Sequence, residues 1–345
     1  MTLQSLLGTE LPIIQAPMAG VQGHALAAAA CNAGALGSLP CALLTPDGIR
    51  QELAALRAAT DKPFNVNFFC HQPPRVSAER EAAWRAALAP YYDELGLDLG
   101  DVPAGPGRAP FSSEAADVLD EIRPPVVSFH FGLPSAELLA RVRGWGSKIL
   151  ASATTLAEGR WLEAHGVDAV IAQGFEAGGH RGIFLDDDIS TQVGTFALLP
   201  QLVHALSVPV IAAGGIADGH GVVAAMQLGA AGVQVGTAYL LCPEATTSAV
   251  HRAALQSDAA QRTALTTLFT GRPARGIVNR LMRELGAVNP LAPAFPLATA
   301  AIAPLRAKAE SRGSGDFSPL WSGQNNSGCK AIPAAQLTHE LAEGL

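Results

Sequence analysis

The sequence predicts an α/β protein, a TIM (β/α)8 barrel with a small helical cap subdomain. Short apolar, β-rich runs alternate with Ala/Leu-rich stretches of helical pattern along the chain. This alternation is typical of βα units around a parallel sheet. Eight such units in succession favour a closed barrel, and an open doubly wound sheet is the alternative.

The predicted strands and helices follow one another with short connections. The eight strands are expected at residues 13–16, 35–38, 64–69, 126–129, 148–151, 169–173, 210–213 and 232–236. Helices between them are expected at 45–59, 135–143, 155–165, 195–206 and 218–228. Thr45, Ser135 and Asp218 begin three of these helices, and side chains of these types cap helix N-termini.

Two segments depart from this alternation. Residues 70–125 contain a helical stretch at 77–88 and then a Gly/Pro-rich loop, which predicts a lid around residues 91–110. Beyond residue 240 the pattern becomes helical over 251–269, and Pro-rich turns follow up to residue 304. We therefore predict a barrel over residues 1–240 that contains the insertion, a helical cap over 241–310, and a tail over 311–345 that returns to the barrel.

The composition excludes several classes of protein. Hydrophobic residues make up 49% of the chain and charged residues 15%, so a large core can form and disorder is excluded. The net charge of −7 leaves no positive surplus for binding nucleic acid. No apolar run approaches the roughly 18 residues of a membrane span and no signal peptide is recognisable, so we expect a cytoplasmic protein. The five cysteines form no CxxC pair, which favours reduced thiols.

Two glycine turns follow the seventh and eighth predicted strands. Gly214-Gly215 leads into a helix, and Gly236-Thr237 follows the next strand. The backbone N–H groups of such turns and the helix dipole favour a bound anion. Many TIM barrels bind phosphate after these two strands, so we predict a phosphate site here. Either turn alone would also fit a tight connection without a ligand.

Histidines that follow predicted strands are the candidate catalytic residues. His180 follows Gly178-Gly179, and these glycines let a flat ligand approach the backbone closely. Its imidazole could act as a general base or as a cation that binds an anionic substrate. His71 and His130 also follow strands but lack adjacent glycines. For both histidines, a functional role and a packing role are therefore equally open. The run Asp186–Asp188 is interpreted as solvated or helix-capping, and no metal site is predicted.

Six segments together resemble the class I branch of the nitronate monooxygenase family. They are QAPMAG (15–20), NFFCH (67–71), SFHFGLP (128–134), AQGFEAGGHRG (172–182), AAGGIADG (212–219) and VQVGT (233–237). Each lies at the end of a predicted strand, and LWSGQ (320–324) resembles the closing motif of the family. The resemblance implies a TIM barrel with tightly bound FMN and a small helical domain over the substrate cavity.

The resemblance also implies roles for single residues. His180 matches the active-site histidine beside the flavin, His130 matches a second histidine in that cavity, and His71 is a third expected substrate contact. The expected cofactor-binding residues are Pro17, Met18, Asn67, Gln173, Gly178, Gly179, Gly214, Gly215, Gln234, Val235, Gly236, Thr237 and Gln324. The family also has aromatic residues in its cap. No counterpart of these residues is expected here, because residues 296–308 contain no tyrosine.

The implied reaction is the oxidation of alkyl nitronates, such as propionate 3-nitronate, by molecular oxygen. The products would be a carbonyl compound and nitrite, with FMN as the cofactor and no NAD(P)H consumed. His180 would stabilise the nitronate charge, or would first remove the α-proton of a neutral nitroalkane. The expected partners are the nitronate and oxygen, with no nucleic acid and no membrane, and a homodimer is a candidate assembly.

Three alternatives belong to other functional classes. The first is an NAD(P)H-dependent flavin reductase related to the enoyl-acyl-carrier-protein reductases, which share the barrel and a Gly-Gly-His loop. The NFFCH and SFHFG segments fit the monooxygenase branch better. The second is a flavin-free barrel isomerase or aldolase that binds a sugar phosphate, and the third is a flavin-binding protein without catalysis.

Overall fold

The strands of the protein fall into two sheets. The computed structural model describes residues 2–102 and 108–345. Its strands are β1 (Ile13–Gln15), β2 (Gly37–Pro40), β3 (Phe64–Phe69), β4 (Val126–His130), β5 (Lys148–Ala153), β6 (Ala169–Gln173), β7 (Gly179–His180), β8 (Val210–Ala213), β9 (Gly232–Val235), β10 (Thr263–Thr266) and β11 (Ala274–Ile277). Eight of them form one parallel sheet, and β7, β10 and β11 form a small antiparallel sheet.

The parallel sheet closes into a barrel. Its strand order is β1-β9-β8-β6-β5-β4-β3-β2, and every neighbouring pair is parallel. A parallel bridge between Ile14 and Leu36 joins the two ends of this order. The TIM barrel predicted from the sequence is therefore confirmed, and the open doubly wound sheet is excluded.

Helices surround the barrel and cover one end of it. They are α1 (Leu3–Leu7), α2 (His24–Asn32), α3 (Pro46–Ala59), α4 (Ala78–Leu95), α5 (Ser113–Ile122), α6 (Ala136–Gly144), α7 (Leu156–Ala164), α8 (Thr195–Ala205), α9 (Gly219–Gln227), α10 (Ala249–Leu255), α11 (Arg280–Leu285), α12 (Thr299–Ser311) and α13 (Ala334–Leu341). The predicted caps Thr45, Ser135 and Asp218 each accept a hydrogen bond from a backbone N–H in the first turn. No described helix is both long and apolar enough to cross a membrane.

One set of apolar side chains fills the interior of the barrel, and another packs its outer face against the helices. Helix α1 buries Leu3, Leu6 and Leu7 against strand residues of the barrel interior, among them Ile14 and Val126. A second, larger cluster joins the outward-facing strand residues to the surrounding helices. The barrel interior is therefore filled by side chains, and a ligand is expected to bind at the carboxyl ends of the strands.

Helices from two distant parts of the chain pack together beside the barrel. Trp84 and Tyr92 of α4 are buried against Ile302 and Leu305 of α12. The Tyr92 hydroxyl donates a hydrogen bond of 2.7 Å to the Ala301 carbonyl. The insertion after β3 therefore supplies part of the same helical cluster as the segment after residue 280. The domain bounds stay a prediction, and residues 103–107 of the predicted lid lie outside the described residues.

The segment predicted as helical over 251–269 is only partly so. Helix α10 ends at Leu255, and β10 begins at Thr263, so the helical prediction is wrong for the second half. Strand β11 pairs with β10 on one side and with β7 on the other. The Ala/Leu content favours a helix locally, but pairing of β10 with β11 selects the strand.

Two predicted bounds near prolines are wrong. Helix α4 continues through Pro90 to Leu95, beyond the predicted end at residue 88. The Pro-rich turns expected up to residue 304 are present only as far as residue 298, because helix α12 begins at Thr299 and contains Pro304 in its interior. Proline inside a helix removes a hydrogen bond and is disfavoured locally. Burial of α4 and α12 against each other offsets that loss.

Candidate active site

A cavity of about 190 Å³ lies at the carboxyl ends of the barrel strands. Parallel strands bring their carboxyl ends to one face, so residues distant in sequence meet there. Most of the predicted site residues line this cavity, namely Pro17, Met18, Asn67, His130, Gln173, Gly178, Gly179, His180, Gly214, Gly215, Gln234, Gly236 and Thr237.

Three predicted site residues do not line the cavity. Val235 is buried in the cluster between barrel and helices, because side chains alternate along β9 and Gln234 takes the inward position. Gln324 is exposed, and its neighbours Gly323 and Asn325 line the cavity instead. His71 is buried behind the cavity wall among aromatic side chains.

The two glycine turns lie side by side, as predicted. Gly214 and Gly215 have φ angles of 109° and 76°, a left-handed conformation that favours glycine. Neither the Gly215 nor the Gly236 N–H group donates a hydrogen bond within the described residues. The Thr237 hydroxyl lies beside them and accepts a hydrogen bond of 2.9 Å from the Gly323 N–H. Free N–H donors in such a turn fit a phosphate group.

Gln234 carries a buried amide oxygen that has no partner among the described residues. Its Oε1 atom is buried and accepts no hydrogen bond from the described residues. A buried acceptor without a partner costs free energy, so a ligand that donates an N–H there would be stabilised. The isoalloxazine ring of a flavin carries such a group. The residues present therefore fit a flavin nucleotide, with its phosphate at the glycine turns and its ring towards Gln234.

The C-terminal tail closes the cavity beside the two glycine turns. A Cβ atom at Gly178 would lie 2.5 Å from the Gly323 nitrogen, so glycine is needed there for the tail to pass. The Gln324 N–H donates to the Glu176 carbonyl, and the Asn325 amide donates to the Gly215 carbonyl at 2.9 Å. Gly178 was expected to make room for a ligand, but it also makes room for the chain itself.

His180 is held by strand pairing and by a neighbouring hydroxyl. It pairs with Ala274 across β7 and β11, which fixes its backbone at the barrel mouth. Its Nε2 atom lies 3.0 Å from Thr270 Oγ1. His130 Nε2 lies 3.2 Å from the His180 carbonyl, and His130 Nδ1 lies 3.1 Å from Ser152 Oγ. The two histidines predicted for one cavity therefore meet there.

Both imidazoles are neutral near pH 7. Burial, reinforced by Arg108, His130 and other positive neighbours, lowers the pKa of His180 well below its usual range. Burial also lowers the pKa of His130 to about 4. Of the two roles proposed for His180, binding as a cation is therefore disfavoured. A neutral ring that donates or accepts a hydrogen bond fits the geometry.

The cavity is electropositive. Arg108 is among the described residues that line it, and none of those residues is an aspartate or glutamate. Arg272 lies next to the cavity wall, with its guanidinium carbon 4.1 Å from the centre of the Phe131 ring. Fixed positive charge in a partly dry site favours anionic ligands.

Aromatic side chains form the wall behind the histidines. Phe69, Phe131 and Phe295 pack around His71, whose ring centre lies 4.8 Å from that of Phe295. Burial lowers the pKa of His71 to about 4. The ring of Trp321 lies 5.4 Å from that of His180. These surfaces exclude water from one side of the site.

Sequence reasoning missed several residues of the site. Trp321 lies within the LWSGQ segment and carried a signal that could have been used. Arg108, His251 and Phe295 lie in segments without a motif, and only the folded chain brings them to the cavity or its wall. His251 is buried, and its Nε2 lies 3.0 Å from the Trp321 carbonyl.

Comparisons with known proteins identify the family of this chain. The family model of nitronate monooxygenase matches residues 1–344. Nitronate monooxygenases of Paraburkholderia phytofirmans and Pseudomonas aeruginosa are each 44% identical to this chain over 99% of its length, covering 94% and 97% of those proteins.

Solved structures show the same relationship. The nitroalkane oxidase from Streptomyces ansochromogenes is 42% identical, with a TM-score of 0.90 over 99% of this chain and 96% of that one. FabK from Thermotoga maritima is 27% identical, with a TM-score of 0.72 over 99% of this chain and 94% of that one. The chain therefore belongs to the nitronate monooxygenase family and is an oxidoreductase.

Proposed function

We propose that the protein catalyses FMN-dependent oxidation of alkyl nitronates by molecular oxygen, without NAD(P)H. One observation carries the proposal. The cavity joins a pair of glycine turns, whose Gly215 and Gly236 N–H groups have no partner among the described residues, to a neutral imidazole, and its described lining contains no carboxylate. A nitronate is a small anion with its charge on two oxygens, and such a site favours it.

The cofactor would be held by residues from several strands. The turns at Gly214-Gly215 and Gly236-Thr237 would bind the phosphate, and Gln234 would bind the ring. Bound FMN would supply the electron acceptor for the nitronate. The chain itself would hold ring, anion and oxygen together in a partly dry cavity.

The substrate would be bound by charge and by hydrogen bonds. His180 would contact a nitronate oxygen, and Arg108 would add a positive potential from the cavity wall. The reaction balances without an outside reductant, because two nitronates and one O2 yield two carbonyl compounds and two nitrite ions. Propionate 3-nitronate is the substrate we propose to test first.

The test is oxygen uptake by the purified holoenzyme on addition of propionate 3-nitronate, with nitrite assayed in parallel and NADH left out. Rapid uptake with nitrite formation is the expected result. A yellow protein that consumes no oxygen, but whose flavin is bleached by NADH without air, would contradict the proposal. That outcome would favour the flavin reductase alternative.

A further inference from the structure

Thr270 contacts the candidate catalytic imidazole through its hydroxyl group. It lies between β10 and β11, outside every motif of the sequence, and its side chain is buried. Its Oγ1 atom has two polar neighbours. His180 Nε2 lies at 3.0 Å, and the Arg272 carbonyl oxygen lies at 3.4 Å.

A threonine hydroxyl has one proton to donate, so these two neighbours compete for it. The distance of 3.0 Å to Nε2 is that of an ordinary hydrogen bond. The distance of 3.4 Å to the carbonyl exceeds the usual range for an O–H donor. A buried O–H without a good acceptor is costly, so the proton is best placed on the bond to His180.

The direction of this bond decides where the ring of His180 carries its own proton. If Nε2 accepts from Thr270, the proton of the neutral ring must be on Nδ1. Nδ1 makes no hydrogen bond within the described residues, so it is left for a ligand in the cavity. The charged and titratable groups that act on this ring are Arg108, Arg272, His130 and His71, and none of them is a carboxylate that would favour an imidazolium.

We propose that Thr270 is a positioning residue that holds His180 in the Nδ1–H tautomer, so that the ring offers a hydrogen-bond donor to the substrate. This inference rests on the proposed function, since the acceptor would be a nitronate oxygen. An N–H that faces the substrate cannot itself remove the α-proton of a neutral nitroalkane.

The first test determines which ring nitrogen of His180 is protonated and does not require enzyme turnover. Holoenzyme labelled with ¹⁵N-histidine would be examined by NMR, with the His180 signals assigned by their loss in His180→Gln. We expect the wild type to show a protonated Nδ1 and an unprotonated Nε2. Thr270→Ser should keep this pattern, because it keeps the hydroxyl. Thr270→Val should shift the ring towards the Nε2–H tautomer.

The second test compares the same variants in turnover. Loss of one hydrogen bond that orients the imidazole corresponds to about a tenfold lower kcat/KM for propionate 3-nitronate in Thr270→Val. Thr270→Ser should restore most of the activity. Thr338→Val is the matched control. The Thr338 hydroxyl lies in the tail and is also buried, but it is hydrogen-bonded to the Tyr239 hydroxyl at 2.8 Å. Its kcat/KM should match that of the wild type.

Either of two results would overturn the inference. One is a wild-type spectrum with the proton on Nε2. The other is a Thr270→Val enzyme with unchanged tautomer and unchanged kcat/KM. A wild type without nitronate turnover would overturn the proposed function instead, and the spectra would still decide the tautomer. Flavin content and thermal unfolding show whether each variant has folded.

Discussion

His180 and His130 illustrate how burial limits what a side chain can do. An exposed histidine titrates close to physiological pH, whereas these two are shielded from solvent and surrounded by arginines. Both remain neutral, so they can donate or accept hydrogen bonds without adding charge. For the proposed anionic substrate, the positive potential would come instead from Arg108 and Arg272.

At this scale we predict that His180→Ala retains flavin and loses most turnover. The side chain lines the cavity, whereas the proposed flavin contacts would come from other residues. Removing one preorganised donor to a substrate anion should lower kcat about 100-fold. Steady-state oxygen uptake and the visible flavin spectrum measure the two effects separately. His204→Ala, at an exposed position of α8, is the control. Full activity in His180→Ala would contradict the assigned role.

Among the structural elements, short turns rather than long helices supply the backbone groups that line the cavity. The Gly214-Gly215 turn places its N–H groups at the cavity because its backbone is left-handed. The acidic run Asp186–Asp188 has a different task. Asp188 accepts a hydrogen bond from the Ser190 N–H, and Asp186 accepts one from the Asp188 N–H. These carboxylates cap a turn, as their interpretation from the sequence allowed.

Gly215→Val is expected to weaken flavin binding. Its φ angle of 76° strains any β-branched residue, so the turn would shift and its N–H groups would leave the phosphate. Flavin retained after dialysis against buffer measures the loss. Gly286→Val is a matched control, because Gly286 also has a φ angle of 76° but caps α11 away from the cavity. Equal flavin retention in both variants would argue against the phosphate site.

At the scale of the whole molecule, burial of several histidines links stability to pH. His71, His130 and His251 have pKa values lowered to about 4, and that of His180 is lowered as well. The unfolded chain binds protons to these groups below about pH 6.5, whereas the folded chain does not. The free energy of unfolding is therefore highest above pH 6.5 and falls as the pH decreases towards 4.

His71→Leu should make this pH dependence shallower. The substitution removes one group that titrates only after unfolding, together with a buried Nδ1 atom that has no partner in the described residues. Denaturant unfolding at several pH values between 7 and 4 measures the slope. His204→Leu, at an exposed position, should keep the wild-type slope. An identical slope in His71→Leu would show that this histidine does not contribute.

The barrel, and the meeting of several strand-end residues at one of its faces, could be predicted from the sequence alone. Strands of a parallel barrel end at one face, so the residues that follow them, such as Gln173, Gly214 and Gly236, could be placed together without coordinates. Local signals were enough for helix starts at Thr45, Ser135 and Asp218, because capping depends on neighbouring residues alone.

The parts of the protein that depend on contacts between distant segments could not be predicted from the sequence. Strand β10 forms because β11 pairs with it, and helix α12 continues through Pro304 because α4 covers it. The same holds for Thr270, Arg108 and Phe295, which reach the site or its wall from segments without a motif. Residue patterns report local preference and periodicity, whereas these positions are set by packing between segments far apart in the chain.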